Sequence, residues 1–447
     1  AGDTAAGDTD VADGVADVAD GVADGIVSDT GPADGGTADG AADGGPGDGA
    51  ALDADPADGT SADGTSADAA KDAADDALTD SSSGIDGSAA DSDEPAAWTL
   101  PSCSTPTGVP GVAFASKDGK HLHISATATQ PGKSYTMGLA AADAPGVFVA
   151  EHASTLYRST DSGCTWKAFG TAPVTPMRFV PSKGDRVYAF YDNGPELMRV
   201  DGDKVTVLKA PVSHIIGLGT DRSDGDALWL GGANGQIFRS SDGGMLWQTS
   251  GTIPLADSTL GYRVAFSPLG PEQALYGVMA KGFFLTTDGG KTWAPSVFSD
   301  AASPAKINGM NAVFSPLSPN HVWAMAIDIT AGLQQPSKTN GKYIWRSTDG
   351  GKTFAKAVAH LLTSDVIITN GVHMVPDGSD VNVVRWTFGT CISGYGTNLY
   401  RYDHGASTDK LSWVNHPVPS IVELVPHPAD KSFLVVGLRT DDNPLCQ

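Results

Sequence analysis

The sequence predicts an all-β fold, a seven-bladed β-propeller, preceded by a disordered acidic tail. Three observations carry this expectation. An eight-residue signature recurs four times: Ser159-Thr-Asp-Ser-Gly-Cys-Thr-Trp166, Ser240-Ser-Asp-Gly-Gly-Met-Leu-Trp247, Thr286-Thr-Asp-Gly-Gly-Lys-Thr-Trp293 and Ser347-Thr-Asp-Gly-Gly-Lys-Thr-Phe354. Around each octet, short apolar runs and turn residues follow one order, which points to stacked similar units. The composition also changes abruptly near residue 100.

Residues 1–100 hold 25 acidic side chains against one lysine, Lys71. The remaining 28 acidic and 27 basic groups of residues 101–447 nearly cancel, so all but one unit of the net charge of -25 belongs to the tail. Up to Trp98 this stretch has no aromatic residue and is built almost entirely from Ala, Asp, Gly, Thr, Ser and Pro. Such a segment buries too little apolar surface to offset backbone ordering, roughly 1–2 kcal/mol per residue, and like charges extend it. Residues 1–100 are therefore expected to form a disordered stalk and 101–447 the folded domain. The Asp-Gly runs never settle into a calcium-binding repeat or loop.

The unit around the third octet shows the plan. Tyr262–Phe266, Ala274–Met279, Gly282–Leu285 and Thr292–Ala294 read as four antiparallel strands, with Asp-Gly-Gly as the last turn. Glycine supplies positive φ there, and the aspartate can accept the turn's backbone N–H groups. Six complete units follow: Tyr135–Phe169, Met177–Leu208, His214–Thr249, Tyr262–Pro295, Met310–Ala357 with an insertion near Asp328–Gly341, and Gly371–Asn415. In the last, Tyr402-Asp403-His404-Gly405 followed by Leu411-Ser412-Trp413 reads as a decayed octet. The seventh is split. Val422–Pro426 and Phe433–Leu438 pair with Val112–Ala115 and His121–Thr127, which closes the ring and removes free sheet edges.

Four cysteines, Cys103, Cys164, Cys391 and Cys446, have neither metal-ligand nor Cys-x-x-Cys spacing. On this topology Cys103 and Cys446 fall in the same loop region, so a Cys103–Cys446 disulfide is expected to fasten the seam, with Cys391 the competing partner. Cys164 lies in an octet turn on the opposite face and is expected to be free or paired on that face.

The octets resemble the Asp-box, or BNR, repeat, Ser/Thr-x-Asp-x-Gly-x-Thr-Trp. The resemblance covers about 110–440, and Met245-Leu246 and Phe354 depart from the pattern. It implies the propeller superfamily of sialidases, xyloglucan-cleaving glycosidases, sortilin-type receptors and photosystem II assembly factor-like proteins, in which the motif is structural and lies away from the active face. Asp161, Gly163, Trp166, Asp242, Gly244, Trp247, Asp288, Gly290, Trp293, Asp349, Gly351 and Phe354 are accordingly expected to be scaffold. A sialidase would need three converging arginines and an Arg-Ile-Pro motif. The nearest approach is Met177-Arg178-Phe179-Val180-Pro181, with Arg263, Arg385 and Arg439 scattered beyond it.

Function is expected on the face opposite the octets. His152, Tyr191, Lys281, Trp386 and Tyr395 are placed on that face with Asp192 and Asn234. Nearer the channel come His214, Arg263, His373 and Glu423, with Asn311. No local motif makes a metal site of His214, His373 and Glu423, and no cofactor is expected. The long loops Asp328–Gly341 and Phe388–Asn398 offer a recognition surface. No catalytic residue is assigned. No phosphate loop, metalloprotease motif or nucleophile elbow is present. The near-neutral folded region excludes a compositional case for nucleic acid.

No 18-residue apolar run spans a membrane. The leading Ala and the acidic leader point to a processed, exported product with a lipid anchor at the processed N-terminus, in an extracellular, periplasmic or outer-surface setting. The expectation is a non-enzymatic, monomeric binding or assembly propeller presenting a protein- or glycan-recognition face. The alternative is a secreted glycoside hydrolase with paired carboxylates.

Overall fold

The computed structural model describes residues 112–116, 119–120, 122–124 and 134–440, apart from 193, 255–260, 304–305, 335–340, 361–365, 367, 369–372, 389–396, 406–408, 417–419 and 427–433. The acidic stretch 1–100 lies outside the described residues, as do Cys103, Cys391, Tyr395 and Cys446. The expected stalk, the Cys103–Cys446 bridge and Tyr395 thus fall outside the described residues.

The chain opens with β1 (Val112–Ala115) and β2 (Leu122–Ile124). A four-stranded antiparallel meander follows: β3 (Ser134–Ala141), β4 (Phe148–His152), β5 (Thr155–Ser159) and β6 (Lys167–Thr171). The next is β7 (Arg178–Pro181), β8 (Val187–Phe190), β9 (Glu196–Asp201) and β10 (Lys204–Lys209). Then come β11 (Ile215–Thr220), β12 (Leu228–Gly232), β13 (Gln236–Ser240) and β14 (Gln248–Thr252). The following sheet holds β15 (Gly261–Phe266), β16 (Ala274–Val278), β17 (Gly282–Thr286) and β18 (Ala294–Pro295).

A short strand, β19 (Val297–Phe298), precedes β20 (Ile307–Phe314), β21 (Val322–Asp328), helix α1 (Ile329–Gln334), β22 (Lys342–Ser347) and β23 (Thr353–Ala359). β19 runs parallel to β23 and caps the edge of that sheet, a fifth strand the sequence reading did not anticipate. The last elements are β24 (Met374–Pro376), β25 (Val383–Phe388), β26 (Thr397–His404), β27 (Asp409–His416), β28 (Ser420–Pro426) and β29 (Leu434–Thr440).

Strands from both ends of the described chain share one sheet. β28 pairs β29, β29 pairs β1 and β1 pairs β2, all antiparallel. Arg439 and Thr440 of β29 also bridge to Tyr135 and Ser134, so this group and the β3–β6 meander form one eight-stranded sheet. The first strands touch in sequence, β3 on β7, β7 on β11, β11 on β15, β15 on β20, β20 on β24 and β24 on β28, and β28 returns to β3. That closed ring of antiparallel sheets is a β-propeller.

Packing explains the residue choices. β4, β8, β12 and β16 are buried at every position, because second strands are sandwiched between neighbouring sheets. First strands approach one another closely. A Cβ at Gly217 would sit 2.2 Å from the Val264 carbonyl oxygen, and one at Gly138 2.2 Å from the Phe179 ring. Any side chain there would push β11 off β15 or β3 off β7. Aromatic groups fill the space between sheets: Phe283 of β17 meets Phe354 at 5.7 Å and Phe298 at 6.1 Å, and Phe298 in turn meets Trp345 edge-on at 4.9 Å.

The octet turns share one hydrogen-bond pattern. In the first, Gly163 N–H donates to Ser159 Oγ (2.8 Å), and Asp161 accepts from Thr165 N–H (2.9 Å) and Thr165 Oγ1 (2.7 Å). Asp288 and Asp349 accept the same pair from Thr292 and Thr353. Gly163, Gly244, Gly290 and Gly351 lie at φ of 86°, 86°, 94° and 93°, where a Cβ is disfavoured. Desolvation alone would raise the Asp288 carboxyl, but the donors from Thr292 and Thr286 hold it down at about 2. Trp166 and Trp293 donate Nε1–H to Gly163 and Gly290 carbonyls. In the second octet Leu246 replaces the threonine, Asp242 keeps only backbone and Ser240 donors, and buried Trp247 Nε1 has no acceptor.

Of the two states expected for Cys164, free or paired, the structure shows the second: it is disulfide-bonded, and its partner lies outside the described residues.

Candidate functional site

In an antiparallel four-stranded unit, the start of the first strand and the turn between strands two and three share one end. The octets occupy the other. At the end opposite the octets, five described side chains meet: Arg178 at the head of β7, Asp192 just after β8, Arg263 on β15, His373 just before β24 and Glu423 on β28. β24 and β28 are neighbours, but β11 separates β7 from β15 and β3 separates β28 from β7. The groups therefore meet across the axis of the ring.

One oxygen holds the centre. Asp192 Oδ2 accepts from Arg178 Nε at 2.5 Å and from Arg263 Nη2 at 2.9 Å. Across from them, His373 Nδ1 lies 3.8 Å from Glu423 Oε1. All five side chains are between 20% and 30% exposed, so water reaches the cluster although protein encloses it. A local device places Arg263 and Glu423. The ladders slip by one residue between Gly261 and Arg263 and between Ile421 and Glu423, and β3, β11 and β20 slip at the equivalent place. Such bulges bend a strand and re-aim the next side chain.

Burial and charge set the protonation states. Burial, reinforced by the nearby Arg178, lowers the Arg263 guanidinium to about 10. Burial first, then Arg178 and Arg263, pulls the His373 imidazole down to about 3, so His373 is neutral at physiological pH. Burial pushes the Glu423 carboxyl up to about 6, against the pull of the two arginines. The His373–Glu423 contact is therefore not an ion pair.

These shifts set a pH test. Between about pH 3 and 6.5 the unfolded chain holds an extra proton on His373, so acid removes stability there. Between 4.5 and about 6 the folded chain holds an extra proton on Glu423, and that contribution is lost as pH rises through 6. Over that window the two cancel, because folding hands a proton from imidazole to carboxyl. Glu423→Gln is expected to leave His373 unopposed. In urea titrations the variant loses up to about 2 kcal/mol relative to the parent chain between pH 6 and 4.5. Parallel pH profiles would show that the two groups are not so linked.

The remaining recognition-face residues separate into three kinds. His214 and Lys281 are exposed, and Tyr191 is half-buried in the turn after β8. His152 and Trp386 correct the sequence reading: His152 is 2% exposed at the end of β4, and Trp386 is fully buried. Trp386 lies on β25 opposite Tyr400 and stacks on its ring at 5.2 Å and 9°, a core contact that leaves nothing to present. In the insertion after β21, Asp328 Oδ1 accepts from Ala331 N–H at 3.0 Å and starts α1. Residues 335–340 and 389–396 of the two long loops lie outside the described residues.

The sequence reading did not place Arg178 in the site. Nor did it single out Glu151, a fully buried carboxyl on β4 whose Oε2 accepts from Met177 N–H at 2.8 Å and so anchors the residue before Arg178. Among the described residues no group of three His, Cys, Asp or Glu side chains gathers to hold a metal. Among them, too, no helix is long and apolar enough to cross a membrane.

Fold and site together define a β-propeller with a cluster of two arginines and two carboxyls at its axis. No family model matches the chain. It is 36% identical over 347 residues to the dispase autolysis-inducing protein of Streptomyces mobaraensis, spanning 78% of this chain and 91% of that protein. The chain belongs to the family of that protein. Among solved structures, YCF48 bound to D1 peptide matches at a TM-score of 0.47 with 14% identity, over 75% of this chain and 99% of that one. An ancestral GH74 enzyme matches at 0.49 with 15% identity, over 70% and 45%.

Proposed function

We propose that this chain is an exported, non-enzymatic, seven-bladed propeller that binds a proteolytic enzyme of the dispase kind and promotes its autolysis. The observation that carries the reading is the 36% identity extending over 91% of the Streptomyces mobaraensis protein. That protein's name describes induction of dispase autolysis, and an enzyme that digests itself is proteolytic. On this reading the β28–β29–β1–β2 group is the seventh blade, which fastens the ring so that one face is held rigid for recognition. The octet aspartates serve as turn fasteners, each filled by its own turn's donors.

A binder can accelerate self-cleavage without chemistry of its own. It needs only a higher affinity for the enzyme conformer that exposes the cleavage site, and the equilibrium shifts by that differential affinity. A glycoside hydrolase is the second reading, favoured by the meeting of Asp192 with Glu423, whose carboxyl is raised toward the range of a general acid. Against it, Asp192 is occupied by two guanidinium groups. Recesses of about 320 and 420 Å³ lie at the octet end of the sheets, around Asp224–Asp226 and around Glu272 and Asp349. The test is the time course of intact dispase with increasing amounts of the full chain. A saturable acceleration of its loss is expected, and an unchanged rate at excess chain would overturn the reading.

A further inference from the structure

We propose that Arg178 and Arg263, bridged by Asp192 at the axis of the ring, bind a carboxylate of the partner protein. The inference deepens the functional reading above and rests on it. Each guanidinium carries about five N–H donors in a planar fork, and each spends one on the same oxygen of Asp192. Among the described residues neither makes another hydrogen bond, and both remain 28–29% exposed. Two forks with unspent donors, reachable by water, suit the planar two-oxygen geometry of a carboxylate.

Charge decides which anion suits the site. Arg178 and Arg263 carry two positive charges and His373 is neutral, while Asp192 is joined as an anion by Glu423 once that carboxyl ionises above about 6. The crowding of positive charge is visible in Arg263, whose proton is loosened by Arg178 after burial itself. A dianion such as phosphate would also face Asp192 and Glu423, so a monoanionic carboxylate fits better. The donors come from β7 and β15, strands separated by β11, so the site is built by ring closure and not by any one sheet.

The experiment compares the full chain with Arg178→Gln/Arg263→Gln in two assays. The first is affinity for dispase and acceleration of its loss, where the double variant is expected to bind at least ten-fold more weakly. The second needs no dispase: the unfolding midpoint in acetate against chloride at equal ionic strength. Acetate is expected to raise the midpoint of the parent chain more than that of the variant, and Arg178→Lys serves as a milder replacement should the double variant not fold. Dispase action on the parent without an effect of the arginines, together with equal acetate responses, would overturn the site and leave the function intact. A selective acetate response in a chain that ignores dispase would overturn the function and leave the site intact. A dispase C-terminal peptide as free acid or amide then identifies the source. Competition by the acid alone assigns the terminal carboxylate, and competition by neither assigns an Asp or Glu side chain.

Discussion

Arg385→Ala is expected to be among the most damaging single substitutions in the ring, costing about 3–5 kcal/mol. Arg385 lies on β25 at 1% exposure and donates from Nη1 to Asp377, itself 2% exposed. Asp377 also accepts from Ser379 N–H (2.7 Å), Ser379 Oγ (2.6 Å) and Asp380 N–H (3.1 Å), so its carboxylate organises the turn that leads from β24 to β25. Removing the arginine strands a negative charge inside the protein, and stranded charge costs more than the pair contributed. The double replacement Asp377→Asn/Arg385→Met removes both charges and is expected to recover a large part of the loss. Urea midpoints of the three variants measure this. A single variant within 1 kcal/mol of the parent chain would mean that water reaches the pair.

Trp345→Ala is the second large effect, again about 3–5 kcal/mol. The indole is fully buried on β22, meets Phe298 edge-on at 4.9 Å and donates Nε1–H to the Ala326 carbonyl at 3.1 Å. It also carries Lys356 Nζ over its ring at 5.4 Å, and that ammonium pairs with fully buried Asp328 at 3.0 Å. Truncation therefore opens a cavity, leaves the Ala326 carbonyl without its indole donor and loosens the lysine that balances Asp328. Because Asp328 starts α1, the loss is expected to spread there, and hydrogen exchange of Ala331 should quicken with it. Trp345→Phe keeps most of the volume and loses the hydrogen bond, so it should cost far less. Equal losses for Phe and Ala would assign the effect to the hydrogen bond and not to packing.

The scaffold was legible because its chemistry is local. Ser159, Asp161, Gly163 and Thr165 satisfy one another within a few residues, so the turn can be read as a word. The site is different in kind. Arg263 and Asp192 lie 71 residues apart, and Arg178 and Asp192 lie 14 apart. Nothing in either stretch announces that both guanidiniums will share one oxygen. The bulges that aim Arg263 and Glu423 are set by ladder register, which no residue type reports. His152 and Trp386 were misplaced for a related reason. Second strands are buried on both faces, so the alternation that separates inside from outside is missing. The Leu246 departure was visible in the sequence, and its consequence, a half-buried tryptophan without an acceptor at Nε1, needed the structure.

In the function proposed above, the propeller acts on a protease by binding and contributes no catalysis. The most direct measurement incubates the full chain with active dispase and, separately, with dispase whose catalytic site has been chemically inactivated, and follows intact enzyme by mass spectrometry. Faster loss of the active enzyme is expected, saturating with added chain, together with an inactivated enzyme that binds the chain yet stays whole. Cleavage of the inactivated dispase by the chain, or no change in the active one, would contradict that function.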